Sequence, residues 1–261
     1  MPSPRLWTKE ELIVAFNLYL KIEFGKTHSS NPKIIKLANL IDRTPASVVM
    51  RLGNFASIDP FHINRGISGL KNGMNQVQPI WDEFFNNQEE LIFLSEQIIA
   101  QKENTSIEKK FEDILLDTKD LKGQDIIRAV KTRVNQSVFR QMVLSNYNNK
   151  CAITGIDIPE LLLASHIIPW SKNEEHRLNP ENGICFSALY DKAFDKGIIG
   201  INTNHEIIFS DKIRNKRQTE FYSKYFTPIE NQKIIVAQKY LPRKEFLEYH
   251  LDTIFNKQII F

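Results

Sequence analysis

The stretch that most restricts the fold of this chain is one in which turn residues separate two apolar runs and a short amphipathic segment. Residues 161–170, LLLASHIIPW, are an apolar run typical of a buried strand, with His166 as its one titratable side chain. Residues 179–186, NPENGICF, combine a dense turn signal with a second short apolar strand. Residues 188–196 then predict a short helix that ends before Gly197. This order predicts a ββα unit.

Three side chains of the predicted unit suggest chemistry. Asp191 and Asp195 are four residues apart, so on a helix their carboxylates share one face, with Cβ atoms about 6 Å apart. Like charges repel at this spacing unless a cation lies between them, and a divalent metal prefers carboxylate ligands. Lys192 and Lys196 are the alternative source of neutralising charge. His166 is either a general base for water or a hydrogen-bonded core residue.

The same residues carry a resemblance to a known family. The stretches CAITG, LLLASHIIPW and RLNPENGICFSALYDKAFDKGIIGIN resemble the HNH endonucleases. They are similar in particular to a bacterial restriction endonuclease subgroup with an S-H-I-x-P-W first strand, an N-G turn and an F-D-x-G ending. Together with the preceding helix, RVNQSVFRQMVLSNY, the resemblance covers residues 133–202. It implies a ββα-metal nuclease domain.

The resemblance also implies roles for individual residues. His166 matches the histidine that deprotonates the attacking water, and Asn182 matches the asparagine that braces the loop between the strands. Asp195 matches a metal ligand of the short helix. The last family histidine is missing, because relatives have it where Tyr190 or Asp191 stands here. Asp191 is the better replacement on helical geometry, since it lies four residues before Asp195.

A single divalent metal is implied at this site, Mg²⁺ or alternatively Mn²⁺, bridging the scissile phosphate and the leaving oxygen. Arg177 is a candidate phosphate clamp or a plain surface arginine. The predicted helix in front of the unit is basic, since residues 122–150 contain six basic residues against one acid. Arg140 and Lys131 are its candidate phosphate-binding residues, and a solvated helix face is the alternative.

A second basic stretch, KIRNKR at residues 212–217, is followed by Phe221, Tyr222 and Tyr225. Basic residues with nearby aromatic rings suit a phosphate backbone, and here too a solvated helix face is the alternative.

The small number of cysteines indicates the cellular compartment and limits which metals the protein could bind. The two cysteines of the chain, Cys151 and Cys185, are too few for a disulfide framework or a four-ligand zinc site, so we expect no structural zinc. We interpret both as small buried residues of a cytoplasmic protein. No run of about 18 uncharged apolar residues occurs, so no contact with a membrane is expected.

The first hundred residues predict a mainly helical region. Thr8 can cap a first helix, residues 31–32 begin a second, and residues 44–54 supply a third. Residues 59–79 are interpreted as an irregular loop region, and a further helix is predicted from about residue 79 towards residue 101. The short turn between the second and third helices is typical of a helix-turn-helix. Arg51 and Asn54 of the third helix are candidate DNA-recognition residues, with a structural role as the alternative.

The predicted architecture is therefore α+β with two domains. Residues 1–101 form a mainly helical DNA-recognition domain with a helix-turn-helix-like segment. Its stretches WTKEEL, DRTPASV and RLGNFASIDP resemble the N-terminal region of restriction endonucleases, some specific for modified DNA. Residues 102–124 are polar and charged and are interpreted as a linker. Residues 125–261 form the HNH nuclease domain.

The predicted function is metal-dependent hydrolysis of phosphodiester bonds in double-stranded DNA, as a restriction enzyme that recognises modified cytosine or a short sequence. An aromatic pocket from Trp7, Phe55 or Trp81 is the candidate base reader, and core packing is the alternative for all three. Cleavage of both strands by one site per chain requires a homodimer or two successive nicks. Two other functions fit: a homing or phage nicking endonuclease, and a non-catalytic DNA-binding regulator with a degenerate HNH fold.

Overall fold

The computed structural model describes residues 5–66, 73–115 and 124–256. The chain divides into two compact units, Met1–Val138 and Phe139–Phe261. The division lies inside a helix, whereas the sequence predicts a linker at residues 102–124. Part of that predicted linker, residues 116–123, lies outside the described residues.

The described part of the first unit is helical. Its helices are α1 (Lys9–Lys21), α2 (Pro32–Leu40), α3 (Pro45–Ile58), α4 (Pro60–Ile63), α5 (Met74–Phe84), α6 (Gln88–Lys102), α7 (Ile107–Lys110) and a 3₁₀ turn, Glu112–Ile114. The long helix α8 (Gln124–Asn146) begins in this unit and ends in the second.

Side-chain caps explain where the first three helices begin. Thr8 accepts a hydrogen bond from the Glu11 backbone N–H at 3.3 Å, and the Glu11 carboxylate accepts one from the Thr8 N–H at 2.9 Å. This reciprocal pair is a capping box. Asn31 caps α2 and Thr44 caps α3, each followed by proline in the first turn. The three helix starts predicted from the sequence are confirmed.

Two predictions for this unit are wrong in detail. The sequence predicts one helix from about Pro79 towards Gln101, but α5 and α6 are separate, with residues 85–87 between them. The predicted irregular region at residues 59–79 contains α4 and the start of α5, and its residues 67–72 lie outside the described part.

Aromatic rings fill the core of the first unit. The ring of Phe16 stacks on Phe55 at 4.7 Å and on Trp81 at 5.2 Å. Phe55 and Trp81 therefore have the core role that was the alternative to a base-reading pocket. The ring of Trp7 lies against two guanidinium groups, those of Arg43 at 4.8 Å and Arg51 at 4.9 Å.

The second unit contains two small sheets surrounded by short helices. Its strands are β1 (Leu162–His166), β2 (Gly183–Ser187), β3 (Ile199–Ile201) and β4 (Ile207–Phe209). Its helices after α8 are α9 (Ala188–Asp195), α10 (Asp211–Arg214), α11 (Glu220–Tyr225) and α12 (Lys244–His250), with 3₁₀ turns at Pro159–Leu161, Pro180–Asn182 and Thr227–Ile229 and a π-helical turn at Leu251–Phe255.

The predicted ββα unit is confirmed. β1 and β2 pair antiparallel, and α9 follows β2 directly. Gly197 has a φ of 60°, the left-handed conformation that glycine adopts without strain just after a helix. The second hairpin, β3 with β4, packs behind α9 and was not predicted. The fold is mixed helical with small sheets, in agreement with the predicted α+β class. In the described ranges, no helix is long and apolar enough to cross a membrane.

Candidate active site

The β1–β2 hairpin fixes the positions of the candidate residues. In its register Ser165 pairs with Ile184 and His166 pairs with Gly183. Asn182 immediately precedes β2, so it lies where the loop between the strands closes. The hairpin therefore places the predicted base and the predicted bracing residue at the same end.

Asn182 holds both sides of that loop. The side chain is fully buried, and its Oδ1 accepts a hydrogen bond from the Ile168 N–H at 2.8 Å. Its Nδ2 donates to the carbonyl oxygens of Ile168 at 3.1 Å and His176 at 3.2 Å. Because all three bonds are to backbone groups, the amide fixes the chain on either side of the loop. This geometry suits the bracing role, which stays a prediction.

A hydrogen bond to the backbone fixes the orientation of the His166 ring and determines which ring nitrogen carries the proton. Its Nε2 lies 2.8 Å from the Arg177 carbonyl oxygen. Since a carbonyl only accepts, Nε2 must carry the proton, which leaves a lone pair on Nδ1. Burial lowers the pKa of His166 below its usual range, and the hydrogen bond to Arg177 offsets part of this effect. The imidazole is therefore neutral near pH 7 and able to accept a proton at Nδ1.

The imidazole rests on an aromatic ring that the sequence analysis did not single out. The Phe139 ring of α8 stacks on His166 with centroids 4.0 Å apart and planes 14° apart. The Trp170 ring lies nearly perpendicular to the imidazole, with centroids 5.5 Å apart. A periodic pattern marks Phe139 only as an apolar residue of α8, so no local signal identifies its contact with His166.

Gly183 permits this close packing of α8 against the hairpin. A Cβ at position 183 would lie 2.4 Å from Val143 Cγ2 and 2.9 Å from Phe139 Cζ. Both distances are too short for any side chain. The glycine of the N-G pair is therefore required for space, in addition to its part in the turn.

Asp191 lies on the other side of β1. The Ser165 hydroxyl donates a hydrogen bond to the Asp191 carboxylate. Since successive strand residues point to opposite faces, Ser165 faces α9 and His166 faces α8. Asp191 thus contacts the residue beside His166. Among the described residues, no hydrogen bond joins the Asp191 carboxylate to the His166 imidazole.

Asp191 and Asp195 influence each other across one turn of α9. Burial and the charge of Asp191 raise the pKa of Asp195 above its usual range, while Lys192 and Lys196 act in the opposite direction. Neither carboxylate forms an ion pair with a lysine or arginine among the described residues. The neighbouring lysines therefore do not neutralise the pair by direct contact.

The Tyr190 side chain packs against the segment around Tyr225 and Phe226. Its side chain is buried, its hydroxyl donates to the Tyr225 carbonyl oxygen at 2.6 Å, and its ring meets the edge of Phe226. Asp191, in contrast, faces Ser165. Of the two positions considered for the missing family histidine, only Asp191 therefore presents a ligand atom on the side of α9 that contacts β1.

The oxygen donors of α9 fit a hard divalent cation. Within residues 5–66, 73–115 and 124–256, no group of three or more histidine, cysteine or acidic residues could hold a metal. Two carboxylates are nevertheless a sufficient protein contribution for Mg²⁺, which keeps several waters and takes further oxygens from substrate phosphates. Asp191 and Asp195 are the residues that could hold it, and the Ser165 hydroxyl is a further oxygen in contact with Asp191.

The three predicted phosphate-binding residues already have protein partners. Arg140 donates to the carbonyl oxygens of Leu162 at 2.7 Å and Pro159 at 2.8 Å, and so anchors the start of β1. Lys131 forms a 2.8 Å ion pair with Glu90. The Arg177 guanidinium lies over the Trp170 ring at 5.1 Å. The structure assigns Arg140 a clear structural role, and phosphate binding by all three stays a prediction.

The predicted DNA-recognition residues of α3 lie inside the first unit. Arg51 is 9% exposed and Asn54 is 4% exposed. One guanidinium nitrogen of Arg51 donates to the Gly73 carbonyl oxygen at 3.4 Å, and its plane lies against Trp7. In this conformation both side chains have the structural role that was the alternative. A contact with DNA would require them to become exposed.

The two cysteines are free and buried, as predicted. Cys151 has an additional local role, because its Sγ accepts hydrogen bonds from the backbone N–H groups of Thr154 at 3.4 Å and Ser187 at 3.1 Å. Ser187 is the residue before α9. The thiol therefore ties the turn at the start of the unit to the beginning of the carboxylate-bearing helix.

Comparison with known families agrees with this geometry. A family model described as HNH endonuclease (HNH_2) matches residues 151–202. This segment is therefore similar to an HNH endonuclease domain. The match covers the hairpin, α9 and β3, and it supports membership of the HNH family, whose nucleases act on DNA and generally use a divalent metal. No curated protein gives a significant match to the chain.

Proposed function

We propose that the protein is a metal-dependent endonuclease that hydrolyses phosphodiester bonds in double-stranded DNA. The observation that carries the proposal is the hydrogen bond from Ser165 to Asp191. It joins the end of β1, where His166 stands, to the helix that bears both carboxylates. A neutral base and a pair of hard oxygen ligands therefore occur within one HNH domain.

In the proposed reaction His166 accepts a proton from water at Nδ1 as the water oxygen attacks phosphorus. The bond between phosphorus and the leaving oxygen breaks, and that oxygen takes a proton from solvent. The Arg177 carbonyl oxygen keeps Nε2 protonated and so fixes which nitrogen acts as the base. Asn182 keeps the loop that carries this carbonyl in place.

Asp191 and Asp195 would hold the divalent cation, with Mg²⁺ proposed and Mn²⁺ as a substitute. When bound, such a cation stabilises the negative charge that develops on the phosphate and the leaving oxygen.

Cleavage of supercoiled plasmid in Mg²⁺ tests the proposal. We expect the native protein to nick or linearise the plasmid and chelation of Mg²⁺ to abolish cleavage. His166→Ala should lose about 10²- to 10⁴-fold in rate, the usual contribution of a general base. Asp191→Ala should require more Mg²⁺. His28→Ala, at an exposed histidine of the first unit, is the matched control and should cleave normally. Equal rates for the native protein and His166→Ala would contradict the proposal.

We further propose a restriction role, with modified cytosine as the recognised feature. The support is the resemblance of the N-terminal sequence to restriction endonucleases and the presence of a separate helical unit that could select the target. Methylated and unmethylated plasmids, digested side by side, test this point. Indifference to methylation would reject modification dependence and leave the nuclease proposal intact. Nicked product without linear product would favour a nicking enzyme, whereas linear product favours a homodimer or two successive nicks.

A non-catalytic DNA-binding regulator is the second candidate. It is favoured by the absence of the last family histidine and by the separation of His166 and Asp191 on opposite faces of β1. Retention of plasmid without cleavage in either Mg²⁺ or Mn²⁺ would support this candidate over the nuclease.

A further inference from the structure

The chain beyond the HNH match returns to α9 and is fastened to it at two points. The Ser210 N–H and hydroxyl both donate to the Ile198 carbonyl oxygen, at 3.1 and 3.0 Å, just after the end of α9. At the other point, the Tyr190 hydroxyl donates to the Tyr225 carbonyl oxygen at 2.6 Å. Residues 211–224, named here the basic segment, are therefore held alongside the helix that bears Asp191 and Asp195.

A few buried side chains pack the basic segment against the rest of the second unit. Ile213 and Tyr222 are buried, and Phe226 follows directly after Tyr225. The Tyr222 ring stacks on Phe226 at 6.0 Å, and both rings meet Phe209 of β4 edge to face. Most other side chains of the segment are exposed. The buried aromatic packing therefore holds the backbone of the segment in place, while its other side chains remain accessible to solvent.

This exposed surface is positively charged. The basic segment contains five lysines and arginines against two acids, Asp211 and Glu220. Arg214 is 3.9 Å from Asp211, and Arg217 pairs with Glu230. The three lysines form no ion pair with an acidic side chain in the described part of the chain; they are Lys212, Lys216 and Lys224.

We propose that the basic segment binds the phosphate backbone of duplex DNA next to the carboxylates of α9. The inference rests on the proposed function, because its occupant is the DNA that the nuclease would cut. The eight residues of α9 span about 12 Å. One strand of a duplex carries a phosphate every ~3.4 Å along the axis, so a strand that follows this length would present about three or four phosphates. The three lysines without acidic partners supply the positive charge for this contact.

Salt dependence of DNA binding tests the surface separately from catalysis. The probe is a fluorescent DNA duplex, and affinity is measured by anisotropy at several salt concentrations without divalent metal. The test variant is Lys212→Ser/Lys216→Ser. The control is Lys233→Ser/Lys244→Ser, which removes the same charge from exposed lysines of the same unit outside the basic segment. Thermal unfolding verifies that both variants fold.

Each lost phosphate contact makes the slope of log K against log[salt] less steep by about 0.9, so we expect a change of about 1.8 for the test variant. The control should retain the native slope. An equal change in both variants, no change in either, or no duplex binding by the native protein would overturn the inference. Plasmid cleavage reports on the proposed function separately. Cleavage with an unaltered salt slope rejects only the surface, and an altered slope without cleavage rejects only the nuclease.

Discussion

At the scale of single residues, His166 is defined by its neighbours. The Arg177 carbonyl oxygen selects which nitrogen is protonated, and the Phe139 ring fixes the plane of the imidazole. Burial lowers the pKa of His166, which keeps it neutral near pH 7. The bracing amide of Asn182 holds the loop from which the carbonyl projects. Orientation of the base therefore depends on groups that take no part in the proton transfer.

Phe139→Leu should impair cleavage through the position of His166. The substitution keeps an apolar side chain but removes the flat surface, so kcat should fall about tenfold or more while KM changes little. Phe209→Leu is the control, since it makes the same change at a buried ring of the same unit that packs on Tyr222. NMR of the imidazole resonances should show a change at His166 only for Phe139→Leu. Equal kinetics for the two variants would show that the stack has only a structural role.

At the scale of elements, the hairpin and α8 fit closely. Gly183 lies opposite His166 and leaves space for Val143 and Phe139. Arg140, one residue after Phe139, anchors the beginning of β1 through two backbone carbonyls. The end of α8 is thus part of the site, although the family match begins after it, at residue 151.

Gly183→Ala should destabilise the second unit by about 1 to 3 kcal/mol, because the added methyl group overpacks the contact with α8. Val143→Ala/Gly183→Ala should be less destabilised than the two single variants predict together, because the truncated valine makes room for the methyl group. Urea unfolding of all four proteins measures this coupling. Strict additivity would argue against the close contact.

At the scale of the whole molecule, the chain consists of two compact units, and the boundary lies within α8. The described part of the first unit is helical, and the second unit contains the segment that matches the HNH family model, followed by the rest of the second hairpin and the C-terminal helices. Helix α12 packs against α9. His250 of α12 stacks on Phe194 at 3.7 Å and its Nε2 donates to the Phe194 carbonyl oxygen.

The stability of the protein should fall in mild acid because of His250. Burial lowers the pKa of His250 from 6.5 to about 4, and the hydrogen bond to Phe194 only partly opposes this. Between pH 6.5 and about pH 4, His250 is protonated in the unfolded chain but neutral in the folded protein. The free energy of unfolding therefore decreases as the pH falls through this range. The expected loss between pH 7 and 5 is about 2 kcal/mol. Urea unfolding of the native protein and His250→Gln measures it, and the variant should lack this part of the pH dependence. An identical dependence would contradict the assignment.

Local sequence patterns were sufficient for much of the fold. The capping box at Thr8, the Asn31-Pro32 start of α2 and the ββα order all depend on residues close together in sequence. The break between α5 and α6 was missed because residues 85–87 contain neither proline nor glycine to mark it. The β3–β4 hairpin was missed because its strands of three residues are too short to show a clear period.

The sequence by itself determined the chemistry that this chain can offer: one histidine in a strand, an Asn-Gly turn and two carboxylates one helical turn apart. These features follow from residue type and short spacing, because the backbone geometry of a strand or helix fixes the relative positions of side chains that are close in sequence. Only the tertiary structure decided that Asp191 faces Ser165 while Tyr190 faces Tyr225, and that Phe139 supports His166. Such contacts join residues 26 to 35 positions apart, and their partners depend on how whole elements pack.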